Sequence, residues 1–261
     1  MKRTPIARGT LSVPSAFESR LSGAVLFDSS CSPEARVIYV EKDGGYYLKS
    51  AEKGSLAREA ELDAYFHRKG LGAEVLAYES LDRDWLLTAR VRGEDCTHKT
   101  YLNDPSRLCD LLAERLRALH EEDFGDCSVS DRMTEYFATA ERNYQRGVND
   151  LSYGDDVGGI STVADAWRIV EEGRALLRSD TLIHGDYCLP NIMLDDWRFS
   201  GFIDLGNGGV GDRHVDLFWG AWTLRFNLRT DAYRDRFLDA YGRDRVDNDC
   251  LRVVGAAEIF G

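Results

Sequence analysis

At 261 residues, with 43% hydrophobic and 30% charged side chains, the chain has the make-up of a folded globular protein long enough for two lobes. No apolar run approaches the roughly eighteen residues of a membrane span. The basic residues Lys2, Arg3 and Arg8 precede no hydrophobic stretch, which argues against a secretory leader. A net charge of −12 argues against a nucleic-acid partner and suits a polycationic ligand, which an acidic surface concentrates. Six cysteines without a C-x-x-C spacing read as reduced thiols of a cytoplasmic protein, not as a disulfide framework or zinc site.

In chain order, the first ninety residues alternate short β-branched or aromatic runs with turns. Strands are expected at 24–27, 36–41, 46–50, 75–79 and 85–88, with Asp43-Gly44-Gly45 as a hairpin turn. Among them, 56–67 has helical spacing that lets Leu62, Tyr65 and Phe66 share a face. The pattern then changes. Leu108, Leu111, Leu112, Leu116 and Leu119 form an apolar stripe at helical period, and further helices are expected at 131–146, 162–177, 213–226, 231–240 and 248–259. The Gly-, Asp- and Asn-rich stretch 147–159 reads as an exposed loop. Pattern alone thus gives an α+β chain, a β-rich lobe (1–91) followed by a mainly helical one (92–261).

The chemistry is concentrated between 184 and 206. His184-Gly185-Asp186 is followed by Asn191 and then by Asp204-Leu205-Gly206. Phosphoryl transfer needs a carboxylate to orient or deprotonate the acceptor hydroxyl, and oxygen ligands that hold Mg²⁺ on a triphosphate. Asp186 fits the first role, and Asn191 and Asp204 the second. The segment has the form of a kinase catalytic loop with Gly185 where protein kinases carry Arg, and 201–206 takes the place of their Asp-Phe-Gly. His184 reads as a brace for the loop, since the carboxylate two residues on already fills the base role. Upstream, Lys49 lies on an expected strand, like the strand lysine that grips nucleotide phosphates. Glu59, ten residues on, is placed to pair with it. Glu61 diverges from Glu59 by about 200° around the helix.

Together the residues from 182 to 216 resemble the aminoglycoside 3′-phosphotransferases, and the resemblance extends to 24–91 and the C-terminal tail. It implies a two-lobed protein-kinase-like fold and ATP- and Mg²⁺-dependent phosphorylation of an aminoglycoside. It also supports Glu59 as the partner of Lys49. Ser32, in a loop without the usual glycines, is expected to meet phosphate through its amide, and Ala89 and Val91 to contact adenine through main chain. Main-chain recognition leaves ATP and GTP undistinguished. In the family the drug's ammonium groups meet acidic side chains. Glu258, in an ending similar to the family's, matches that role, and Asp155 and Asp156 lie where further carboxylates are found.

Three positions depart from the family. Asn207 stands where Arg is common, Trp222-Thr223 replaces an Arg-Asp pair, and Gly261 extends past the usual terminal phenylalanine. They leave open a kinase for another amino sugar, a macrolide or a small amine. A non-catalytic nucleotide-binding module is the alternative from another class. A protein kinase fits poorly, because Asp216 lies only twelve positions after Asp204 and no Ala-Pro-Glu element follows.

Overall fold

The computed structural model describes residues 3–7, 9 and 11–261, the side chains of residues 155–157 excepted. The chain divides into two compact units, Met1–Asp95 with Pro190–Gly206, and Cys96–Leu189 with Asn207–Gly261. A single cut at residue 91 does not describe this division. The chain comes back to the first unit because the backbone hydrogen bonds of 190–206 are satisfied there.

The first unit is built on a six-stranded antiparallel sheet. Its strands are β1 (Thr4–Ile6), β2 (Val25–Asp28), β3 (Ala35–Glu41), β4 (Tyr46–Glu52), β5 (Val75–Ser80) and β6 (Arg83–Ala89), in the order β1-β2-β3-β4-β6-β5. The turn between β3 and β4 holds Asp43, Gly44 and Gly45 at positive φ, the conformation a tight hairpin demands and glycine adopts at least cost. Alternation along the strands sorts the two faces. Leu26, Ile38, Val40, Leu48, Trp85 and Leu87 pack on one face with Phe17 and Leu21. The latter two lie on α1 (Ser15–Leu21), a helix whose single i,i+4 apolar pair in a polar stretch is too weak a periodic signal to read from sequence.

The opposite face carries α2 (Ala57–Arg68), with Leu56 and Ala60 packed on Ala51 and Leu86. This helix starts without a side-chain cap of its own. Instead the buried Asp84 of β6 accepts from the Leu56 amide at 2.9 Å and from the Tyr78 hydroxyl at 3.0 Å, which anchors the helix start to the sheet. β7 (Glu94–Asp95), β9 (Ile192–Asp195) and β10 (Arg198–Phe202) form a small antiparallel sheet in the order β10-β9-β7. The Phe202 amide donates to the Leu71 carbonyl at 2.7 Å, and its ring meets Phe66 of α2 edge-on.

The second unit is helical. It contains α3 (Lys99–Leu102), α4 (Pro105–His120), α5 (Arg132–Gln145), α6 (Val163–Gly173), α7 (Arg213–Leu228), α8 (Arg234–Gly242) and α9 (Asn248–Glu258). Aspartate or threonine side chains cap α4, α5, α6, α7 and α9, at Asp104, Asp131, Thr162, Asp212 and Asp247. A two-stranded ribbon of β8 (Thr181–Ile183) and β11 (Gly209–Gly211) crosses it. The expected loop 147–159 is not wholly irregular, since Leu151–Val157 forms a 3-10 helix. Asp150 caps its start by accepting from Ser152, its own amide donates to the Ile259 carbonyl, and Gly158 in the left-handed region ends it. Polar composition hid a segment whose start is tied by a backbone bond to Ile259. Among the described residues no helix is long and apolar enough to cross a membrane.

Candidate functional site

In the first unit, β4 pairs Lys49 with Val37 of β3 on one side and Leu86 of β6 on the other. This places Lys49 on the face that α2 covers, because its neighbour Leu48 belongs to the opposite core. The Lys49 ammonium donates to both carboxylate oxygens of Glu59, at 2.8 and 2.7 Å, and to Asp204 Oδ1 at 2.9 Å. Glu59 is buried, whereas Glu61 is exposed, so the helical phase settles which glutamate pairs. Burial works against the lysine's charge, but the Asp204 and Glu59 carboxylates outweigh it and raise its pKa above the ordinary range. The ammonium is therefore a fixed positive charge at neutral pH.

A cavity of about 270 Å³ opens beside this ion network. Ser32, Lys49, Glu59, Ala89, Val91, Asn191 and Asp204 all line it, so every first-unit residue expected to serve the nucleotide borders one space. The Ala89 amide donates to the Glu74 carbonyl, and a base contact at Ala89 is therefore left to its own carbonyl. The loop carrying Ser32 is braced at its base. The Ser30 amide donates to Asp28, the Val37 amide to the Ser30 hydroxyl, and the Ser29 amide to the Val37 carbonyl. Asn191 and Asp204 lie on segments tied by the Ile203 amide, which donates to the Asn191 carbonyl at 3.0 Å. Asp204 sits at φ 61°, a left-handed backbone rare outside glycine, asparagine and aspartate. An amide oxygen and a carboxylate on one cavity wall are the hard donors that Mg²⁺ takes alongside phosphate oxygens and water. The residues present fit that ion.

Sequence reasoning passed over Asp63. It lies one turn beyond Glu59 on α2, lines the same cavity and is only 5% exposed. Burial, reinforced by the Glu59 charge, pushes its carboxyl well above the usual carboxylate range. The i,i+4 spacing from Glu59 was the available signal.

In the second unit, Asp186 follows β8 on a loop fastened from three sides. The buried Asp216 of α7 accepts from the His184 amide at 2.7 Å, the Gly185 amide at 2.8 Å and His120 Nε2 at 3.2 Å. Burial holds the His120 pKa below its ordinary value, and the neutral ring protonated at Nε2 also accepts from the Tyr241 hydroxyl. Neither Asp216 nor His120 was singled out as functional in the sequence. His184 acts as the expected brace, its Nδ1 accepting from the Asp186 amide at 3.3 Å. The Tyr187 hydroxyl donates to the Leu112 carbonyl, and the Leu189 amide to Thr223 Oγ1. Gly185 has φ 81°, and a Cβ there would lie 1.9 Å from the Asn207 carbonyl oxygen. Backbone contact on that side is the physical reason that glycine occupies the kinase arginine position.

Glu258, at the end of α9, is 7% exposed. Its Oε1 accepts from the Tyr136 hydroxyl at 2.8 Å and the Trp219 indole N–H at 3.1 Å. Burial, with the Asp186 charge adding to it, pushes its carboxyl up to about 7 against the pull of those two donors. The Asp186 charge thus reaches Glu258 within one unit. The backbone of Asp155 and Asp156 lies in the 3-10 helix; their side chains are outside the described residues.

The departures from the family have visible consequences. The Asn207 position is met by a cation from elsewhere, since Arg132 donates to its carbonyl at 3.0 Å and to its side-chain oxygen at 3.3 Å. Thr223 supplies the hydroxyl that holds Leu189. The Gly261 amide donates to the Glu258 carbonyl and continues the helical turn.

Comparison with known proteins sets this geometry in context. Residues 33–252 match the model of the phosphotransferase enzyme family. A Lactococcus lactis subsp. lactis (strain IL1403) protein named as a probable aminoglycoside 3′-phosphotransferase is 52% identical over 249 residues, covering 95% of each chain. Among solved structures, an aminoglycoside 3′-phosphotransferase of type VIII aligns with a TM-score of 0.77 at 24% identity, over 94% of this chain and 97% of that one. A Streptomyces rimosus ATCC10970 aminoglycoside phosphotransferase in complex with ADP and streptomycin aligns at 0.69 and 23% identity, over 86% and 90%. At these identities the structural likeness is one of fold.

Proposed function

We propose that this chain, which belongs to the phosphotransferase enzyme family, transfers the terminal phosphoryl group of ATP to an aminoglycoside hydroxyl, at the 3′ position. Its α+β fold is the kinase-like fold of the aminoglycoside phosphotransferases. The observation that carries the reading is the Lys49 ammonium joined at once to Glu59 and Asp204 on the wall of a cavity that Asn191 also lines. The lysine supplies positive charge for phosphate oxygens, the glutamate aims it, and the aspartate is free to exchange the lysine for a metal. The ADP-bound Streptomyces rimosus relative supports a nucleotide in this fold.

In this mechanism Lys49 neutralises the α- and β-phosphates while the backbone around Ser32 donates to phosphate oxygens. Ala89 and Val91 hold the base through main chain. Asn191 and Asp204 would hold Mg²⁺, which would supply charge neutralisation to the phosphate oxygens. Asp186 accepts a hydrogen bond from the acceptor hydroxyl, aims its lone pair at the γ-phosphorus and takes the proton as the new O–P bond forms. The bond from that phosphorus to the β,γ-bridging oxygen breaks, and ADP leaves. Because the transition state is loose, positioning and charge account for most of the barrier lowering. The acidic chain and the Glu258 carboxylate supply the negative charge that a polyamine sugar requires.

The test is incubation with kanamycin, ATP and Mg²⁺, followed by the mass and position of any phosphate added. Phosphate on the 3′-oxygen is expected. In Asp186→Asn, turnover falls by about 10²–10⁴, as expected for loss of a positioned proton acceptor, with ATP binding retained. Product on another class of acceptor alone, or unchanged turnover in Asp186→Asn, refutes the reading.

A further inference from the structure

We propose that the acceptor subsite of this chain is an aromatic wall, formed by Trp222 with Tyr153 and Trp219, that takes one ring of a cationic amino sugar against an indole face. This deepens the proposed function and rests on it. Tyr153 meets Trp219 edge-on with ring centroids 5.7 Å apart and Trp222 at 5.9 Å, and the two tryptophans are 5.3 Å apart. Trp222 also stacks on Phe226, at 4.9 Å and 12°. Core packing explains only part of this cluster. Tyr153, Trp219 and Trp222 are half-buried and Phe226 is 61% exposed, whereas most residues of α7 are buried.

The wall borders the catalytic loop within the second unit. The Trp219 indole N–H donates to Glu258 Oε1. Thr223, adjacent to Trp222, holds the Leu189 amide on the segment that carries Asp186. Burial, followed by the charges of Asp150 and Glu258, raises the Tyr153 phenol pKa above its ordinary value. A carboxylate for an ammonium group and an aromatic face thus lie side by side, in the unit that also carries Asp186. The negative face of an indole attracts ammonium groups, and its breadth suits the C–H face of a sugar ring. At this point the resemblance to the family leads one to expect an Arg-Asp pair, and this chain carries Trp222-Thr223 instead. Acceptor recognition here therefore leans on stacking where charge pairing was expected.

Trp222→Ala and Trp222→Phe are compared with wild type in steady state, with kanamycin and ATP varied in turn. Trp222→Ala is expected to raise the kanamycin KM by about 5–30-fold, the span of one desolvated cation–aromatic contact, leaving the ATP KM as in wild type. Trp222→Phe restores most of the loss, which a purely structural role does not predict. Calorimetric titration of Asp186→Asn with kanamycin, with and without Trp222→Ala, repeats the comparison free of turnover. An unchanged kanamycin KM in Trp222→Ala, or ATP and kanamycin KM rising together, overturns the aromatic wall. Failure of wild type to phosphorylate any aminoglycoside overturns the proposed function instead.

Discussion

Replacing Glu258 with glutamine isolates the cost of keeping a carboxylate at the end of α9. The glutamine amide preserves the shape and an oxygen for the Tyr136 and Trp219 donors, but it cannot ionise. In the folded protein burial pushes the Glu258 carboxyl from 4.5 up to about 7. At 1.36 kcal/mol per pKa unit, the gap corresponds to about 3 kcal/mol. The sign follows from proton binding. Between pH 4.5 and 7 the folded state holds a proton that the unfolded chain has released, so folding stability falls as pH rises across that interval. The favourable contribution is complete below the unfolded value and lost once pH passes the folded one. Urea unfolding of wild type and Glu258→Gln at half-unit steps from pH 5 to 8 measures this. The stability of wild type relative to the variant should fall by about 2.5 kcal/mol over the series, because part of the gap is already lost by pH 5. Bound ammonium reverses the preference, so kanamycin should bind wild type more tightly as pH rises through about 7, and Glu258→Gln should show no such gain. A stability difference that stays flat with pH would refute the argument that burial governs this group.

Two further outcomes test the catalytic loop. Gly185→Ala should lower stability by about 2–4 kcal/mol in denaturant melts, because the added Cβ meets the Asn207 carbonyl at 1.9 Å from a strained positive φ. An alanine variant of wild-type stability would contradict the close approach. Asp216→Asn replaces one acceptor oxygen with a donor facing the amides of His184 and Gly185 or the His120 ring. It should reduce kcat at least tenfold and cost about 1–3 kcal/mol of stability, with the ATP KM changed little. Equal loss in kcat and in nucleotide affinity would count against Asp216 as a brace for Asp186 alone.

Local patterns carried a large share of the architecture. The five expected strands and the helix at 56–67 appear within a few residues of their predicted bounds, because apolar alternation and helical period report directly which face is buried. The choice of Glu59 over Glu61 was also legible, since the two lie about 200° apart around the helix and the family resemblance favours Glu59. What was missed depends on distant partners. The short strands near the catalytic loop carry too few residues for a periodic signal, and their pairing is long-range. Asp63 and Asp216 look in sequence like ordinary helical carboxylates.

The primary sequence alone marked the candidate groups. Asp186, Asn191, Asp204, Lys49 and Glu59 were identifiable because phosphoryl transfer demands particular side-chain chemistry at particular spacings. Tertiary structure alone decided which groups share an environment. It returned 190–206 to the sheet unit, put Asp63 on the cavity wall, buried Asp216 beneath the loop and set Glu258 among Tyr136, Trp219 and the charge of Asp186. The reason is physical. Identity and local spacing are properties of the chain, whereas burial, charge coupling and aromatic contact depend on residues brought together from far apart along it.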